Sequence, residues 1–431
     1  MKILLLGSGG REHALAKKIS ESYHCNALFI APGNTGTEKY GTNLPIATND
    51  FNAIQSFCIK ENIDILVVGP EEPLVQGIYD FMQATDETGA KYWDGIVVGP
   101  SKKAAQLEGS KEFSKKFMQR HNIPTAAYKS FTAENYEEGK AYIKQHSLPI
   151  VLKADGLAAG KGVVICHNHP TALSVFENMI QNAQFGTASQ KVVIEEFLSG
   201  IELSVFVITN GVDYQIIGHA KDYKRIGEGD TGLNTGGMGC ISPVPFVDEA
   251  FMQTIETTII QPTIQGLQKE HLEYNGFIFF GLIKVGNKPY VIEYNCRLGD
   301  PETEVVIPRL QTDLVALFAA MHNGTLADVN INIDNRAAAT IVAVSGGYPG
   351  TFEKHKPIYG LNTLPLSNNV TIYHAGTTTL QNQIVTNGGR VLAVTAMAPQ
   401  LQEAIQLAKH TLSTISFDNM YYRKDIGYEF L

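Results

Sequence analysis

The sequence is short of cysteine, has a single tryptophan, carries no excess of basic charge and lacks any long apolar run. Its five cysteines (Cys25, Cys58, Cys166, Cys240, Cys296) are scattered, odd in number and without CxxC spacing. This argues against a disulfide framework or a cysteine zinc site and suits reduced thiols. Lysine and arginine total 34 against 43 acids, a net charge of −9, and no basic cluster stands out. Nucleic acid is therefore not an expected partner, because binding a phosphate backbone needs clustered cations. The N-terminal run MKILLLG stops at glycines, too soon for a signal-peptide core, and no stretch approaches the roughly 20 apolar residues of a membrane span. A cytoplasmic chain with no membrane partner is the expectation.

The 44 % of apolar residues over 431 positions suffices for about three packed domains. Residues 1–103 alternate β-branched runs (KILLLG, ALFIAP, IDILVVGP, GIVVGP) with helical patterns, which predicts an open parallel α/β sheet. Ligands in such sheets sit at the strand C-terminal ends, here GSGG, APGN, GPEEP and GPS. A helical stretch over 101–121 leads into a second α/β module, 104–325, with a small βαβ-type unit at about 123–190. KVVIEEF, LSVFVIT and YQIIGHA read as antiparallel strands, a long helix is expected at about 248–271, and GFIFFGLIKV with KPYVIEYNCR reads as a hairpin. Residues 326–431 form a third, α+β part.

KADGLAAGKG, residues 153–162, looks at first like a phosphate-binding loop. A Walker loop needs four residues between its glycines, a hydroxyl after the lysine and a helix behind it. Here three residues separate Gly156 from Gly160, Gly162 follows Lys161, and both flanks are strand-like. The stretch is a glycine hairpin carrying Lys153 and Lys161, suited to a lid over a nucleotide. In VIEYNCRLGDPE, alternation puts Glu293, Asn295 and Arg297 on one strand face, with Ile292 and Tyr294 on the other. A carboxylate and an amide oxygen suit Mg²⁺, and the arginine suits a carboxylate or phosphoryl group; a strand end with a surface ion pair would look the same. IEEFLSGIE offers backbone for an adenine edge and Glu202 for ribose hydroxyls, or simply solvated glutamates. GEGDTGLNTGGMG has six glycines in thirteen residues, a loop able to close on an anion or a flexible linker. Asp222, Lys224 and Arg225 lie just upstream. GSGGREH lacks the third glycine of a dinucleotide fingerprint, since Glu12 stands there, and the second strand ends without an acid. NAD is disfavoured, whereas a phosphate at the following helix N-terminus is not.

GSGGREHALA, APGNTGT, GPEEPLVQG, LEGSKEFSK, KADGLAAGKGV, IEEFLSGIELS, NTGGMG, EYNCRLGDPET, HAGT, TNGGRVL and RKDIGY occur in the order seen in phosphoribosylamine–glycine ligases, and the chain resembles that ATP-grasp family over residues 1 to about 427. The resemblance implies ATP-dependent joining of glycine to 5-phosphoribosylamine through a glycyl phosphate, with Mg²⁺ or Mn²⁺, in purine synthesis. It places Lys111, Lys153, Gly160, Lys161 and Gly162 on ATP phosphates, Glu195, Glu196, Phe197 and Leu198 at adenine, Glu202 at ribose, and Glu293 with Asn295 on the metal. Arg297, Asp222, Asn234, Thr235, Gly236 and Gly237 would position glycine and the acyl phosphate. Gly9, Gly10, Asn34, Glu71 and Asp300 would receive the other substrate.

Two departures stand out. Leu282 and Ile283 occupy the strand that supplies a further metal carboxylate in many grasp enzymes, and Leu298 replaces an expected phenylalanine. With no further enzyme module after residue 431, a single-activity bacterial monomer is expected. A carboxylating ligase, a nucleotide sensor with a degraded site and a dehydrogenase are the competing readings.

Overall fold

The computed structural model describes the chain except residues 158–161, 183, 185 and 362–368. The N-terminal alternation does produce a parallel sheet, with Lys2–Gly7 between Ala27–Pro32 and Ile65–Val68, and Ile96–Pro100 beyond. Ile3 to Leu6 are fully buried, as a strand covered on both faces must be. The sheet does not end there. Strand Tyr274–Val285 pairs antiparallel with Ile96–Pro100 through Tyr274 and Asn275, then carries Ile201–Thr209 on one edge and its hairpin partner Lys288–Asn295 on the other. From Ile201–Thr209 the pairing continues through Tyr214–Asp222, Gly239–Ser242, Ala337–Val344 and Arg390–Ala398 to Val370–His374, a mixed sheet of 13 strands among the described residues.

A second sheet stands apart from it. Its four strands run in the order Tyr128–Thr132, Lys191–Glu196, Ile150–Ala154, Val163–Cys166, every neighbour antiparallel. The expected βαβ-type unit takes a split form: Tyr128–Thr132 and Ile150–Ala154, joined by helix Tyr136–Gln145, run parallel to each other with Lys191–Glu196 antiparallel between them. Helix His169–Ile180 joins Val163–Cys166 to Lys191–Glu196 in the same way, while Lys153 faces Val163 across the glycine hairpin. Lys191–Glu196 belongs here and not with the two strands that follow it. Phe131, Ile143, Leu152, Phe176 and Ile194 give this subdomain a core of its own.

Three local expectations also change. The 101–121 stretch is broken at Ser110, which is extended and whose hydroxyl accepts from Phe113 N, capping a new helix at Lys111–Arg120. The long helix is interrupted by a π-helical turn, Glu256–Ile260, just before Pro262, a residue with no N–H for the regular ladder. Part of the glycine-dense stretch is ordered as a hairpin, Arg225–Gly227 against Thr231–Asn234.

Candidate active site

Lid and main sheet meet over a cluster of lysines. Lys153 lies mid-strand in the lid, while Lys111 opens the capped helix, whose first turn is held by Asp155 accepting from Glu112 N at 2.7 Å. Lys111 Nζ donates to the Gly156 carbonyl at 3.1 Å, at the base of the glycine hairpin. Gly162 closes that hairpin, its carbonyl accepting from Ala154 N, while Gly160 and Lys161 lie outside the described residues. Glu195 is expected at the adenine edge. Its side chain instead lies buried, with Lys153 and Lys115 each 3.0 Å from Oε2 and with Oε1 lacking a partner among the described residues. Lys115 is a residue that sequence reasoning missed. It sits one turn after Lys111, on the same helix face, and burial pushes its pKa down to about 8 against the pull of Glu195. Glu196 Oε1 accepts from Ala127 N at 2.8 Å, and Phe197 and Leu198 occupy the connection from the lid to strand Ile201–Thr209, the phenylalanine ring exposed.

Glu293 faces this cluster from the main sheet. Burial opposes its ionisation, but Lys224, Lys153, Lys111 and Arg297 outweigh burial and hold the carboxyl below its ordinary range. The strict alternation expected here is broken by a bulge, since Val291 faces Leu282 and Glu293 faces Gly281. Ile292 is the extra residue, and it lines the same cavity as Glu293, Glu202, Asp222 and Lys224 instead of pointing away. Tyr294 does face the core, its hydroxyl 2.9 Å from Thr263. Lys224 reaches Glu202 at 3.1 Å, so the expected ribose carboxylate has a cation of its own. Arg297 donates to Asn295 Oδ1 at 3.1 Å and pairs with Glu108 at 2.8 Å, while Glu71 of the first domain lies 3.5 Å away.

The donors present fit a divalent cation carried in by a nucleotide. Glu293 is held ionised and Asn295, two residues on, carries an amide oxygen that also accepts from Arg297, while no group of three or more His, Cys, Asp or Glu forms a protein cage among the described residues. Mg²⁺ normally takes one or two protein ligands and completes its shell from phosphate and water. Leu282 and Ile283 are buried in the sheet, so the preceding strand offers no further carboxylate.

All three parts of the chain converge on Asp300. It accepts from Arg11 N at 3.2 Å and pairs with Arg390 at 2.8 Å, and Arg390 also donates to the Gly236 carbonyl at 2.7 Å. Gly237 N donates to Thr235 Oγ1, whose own proton goes to the Lys224 carbonyl, so the Asn234–Gly237 stretch is tied to the Asp222–Lys224 strand end. Gly9 caps helix Gly10–Ser20, with its N–H donating to Glu12. A Cβ at Gly10 would fall 2.3 Å from the Glu304 carboxylate, which would have to shift to admit it. Asn34 ties three segments together: Nδ2 donates to the Ser8 and His374 carbonyls and Oδ1 accepts from Gly36 and Thr37. Arg390 escaped sequence reasoning because its partners are 90 and 154 residues distant.

Beside this junction, burial and the Asp222 charge push the Glu302 carboxyl up to about 7. A carboxyl raised in the fold favours the folded state fully below its ordinary 4.5 and loses that advantage as pH rises through about 7. Glu302→Gln should therefore raise Tm at pH 8, with the gain vanishing below about pH 5. Thermal melts at the two pH values check this, and an equal shift at both would contradict it.

Three family models tile the chain. That for the N domain of phosphoribosylglycinamide synthetase matches residues 1–108, the ATP-grasp (A) domain 109–303 and the C domain 338–429. The chain belongs to this family. It is 44 % identical to a phosphoribosylamine–glycine ligase of Chlorobaculum tepidum over 431 residues, covering 99 % of each chain. A Vibrio cholerae protein of the same name is also 44 % identical, over 99 % of this chain and 98 % of its own. The crystal structure of the phosphoribosylamine–glycine ligase from Thermotoga maritima superposes with a TM-score of 0.84 at 33 % identity, covering 99 % of this chain and all of that one. No helix among the described residues is long and apolar enough to cross a membrane.

Proposed function

We propose that this phosphoribosylglycinamide synthetase family member ligates glycine to 5-phosphoribosylamine, giving N1-(5-phosphoribosyl)glycinamide, ADP and phosphate. The observation that carries the reading is the cavity that Glu293 shares with Glu202, Asp222 and Lys224, with Lys153 reaching the neighbouring Ile292 carbonyl at 3.4 Å and nearby cations holding Glu293 ionised. Phosphoryl transfer from ATP to glycine's carboxylate brings anions together, so cations fixed in advance are what lowers its barrier. Lys111 and Lys153 hold the ATP phosphates, with Gly160, Lys161 and Gly162 as further phosphate contacts. The Glu195–Leu198 connection receives adenine through its backbone, and Glu202 receives ribose. Glu293 and Asn295 hold Mg²⁺ or Mn²⁺, which when bound neutralises phosphate charge. Arg297, Asp222 and Asn234–Gly237 orient glycine and keep the acyl phosphate from water. The amine of phosphoribosylamine, entering past Gly9, Gly10, Asn34, Glu71 and Asp300, then attacks the acyl carbon.

ADP release measured with each substrate omitted in turn tests the reaction. Release should need ATP and glycine and should rise at least about tenfold when phosphoribosylamine is added, since capture of the acyl phosphate frees the site for turnover. Release driven by bicarbonate without glycine would instead favour a carboxylating ligase.

A further inference from the structure

The last residues of the chain form a buried clamp that the proposed chemistry does not use. Arg423 is fully buried, its guanidinium bidentate on Asp425 at 2.7 and 2.8 Å and reaching Asp230 at 2.6 Å and the Arg225 carbonyl at 3.2 Å. Asp425 accepts in turn from Gly229 N at 2.7 Å, and Tyr428 donates to Asp230 at 3.2 Å. The tip of the Arg225–Asn234 hairpin is thereby held by residues almost 200 positions away in sequence. A second grip lies behind the strand that leads into this hairpin. Tyr223 is buried, donates to Glu429 at 3.0 Å and lies under the Arg423 guanidinium, and Lys221 pairs with the same Glu429 at 3.2 Å.

Alternation makes this a lever. Lys221 and Tyr223 share the face toward the chain's end, so Asp222 and Lys224 face the other way, into the cavity with Glu202 and Glu293. Whatever fixes Tyr223 from behind fixes Asp222 and Lys224 in front. Whatever fixes Asp230 fixes the hairpin that ends in Asn234. We infer that the Arg423–Glu429 segment is a positioning element for the ligase site, with Arg423 as its central positioning residue, acting through Tyr223 and the Arg225–Asn234 hairpin. Its contacts go to the strand that ends in Asp222 and the hairpin that ends in Asn234, the residues proposed to position glycine and the acyl phosphate, and among the described residues none goes to the lysines proposed to hold ATP.

The inference rests on the proposed ligase reaction and predicts a split in kinetic constants. In Arg423→Met, kcat for glycine-dependent ADP release should fall at least about tenfold and KM for glycine should rise severalfold, while KM for ATP changes less than twofold. Arg423→Lys keeps the charge but not the fork, so it should recover part of the loss. Tyr223→Phe removes one hydroxyl in place and should show the same split on a smaller scale, which keeps the test available if Arg423→Met fails to fold. Variants with wild-type kcat and glycine KM, or with losses that fall equally on ATP and glycine, would overturn the role given to the segment. Wild-type enzyme assayed in parallel separates the two claims: no glycine-dependent ADP release from it overturns the ligase reading and this inference with it.

Discussion

Glu293→Ala should cut glycine-dependent ADP release by about 10³-fold or more while the protein still folds. Lys224, Lys153 and Lys111 together outweigh burial and keep the Glu293 carboxyl ionised. Deleting it removes a hard oxygen ligand and leaves several cations facing one another. Stability should fall by about 1–3 kcal/mol, because breaking up a buried charge cluster leaves partners uncompensated, though here phosphate or solvent anions can substitute. Steady-state ADP release across a Mg²⁺ titration, with circular dichroism melts alongside, checks both halves. Near-wild-type turnover at saturating Mg²⁺ would remove Glu293 from the metal site.

Lys153→Met should lower kcat/KM for ATP about 10²–10³-fold, the scale on which a single preorganised donor acts at a developing charge. Lys153 is held in advance by Glu195, with Nζ 3.0 Å from Oε2 and 3.4 Å from the Ile292 carbonyl. Lys115 shares the same carboxylate oxygen at the same distance. If Lys153 moves toward phosphates, as its proposed role requires, Lys115 would keep Glu195 neutralised. Lys115→Met should then cost less than Lys153→Met and should act by pulling Lys153 back toward Glu195, visible as weaker ATP binding. Calorimetric titration with a non-hydrolysable ATP analogue checks the ranking, and a larger loss in Lys115→Met would reverse the roles.

What could be read from the chain was what is encoded locally. The strand, glycine turn and strand around Lys153, the parallel N-terminal sheet and the hairpin bearing Glu293 all declare themselves within a window of some twenty residues. The bulge at Ile292 did not, because an extra residue on one strand is defined only by the register of its partner. Lys115 was legible in principle as an i+4 neighbour of Lys111, but its meaning depends on Glu195 lying across from it. Arg390 and Arg423 lie in the TNGGRVL and RKDIGY stretches, but nothing local shows what either side chain does. Each matters through acids and carbonyls supplied by other parts of the chain, and long-range pairing is what a single sequence conceals.

The 13-strand sheet that threads all three parts has a mechanical consequence. Its strands share backbone hydrogen bonds from Val370–His374 to the N-terminal edge, so the wall carrying Glu293, Asp222 and Lys224 behaves as one stiff plate. The lid, with its own four strands and its own core, shares no strand with that plate. The two are joined by the chain crossings near residues 121–127 and 197–200, the first of which is also bridged to the plate through Thr125 and Val291.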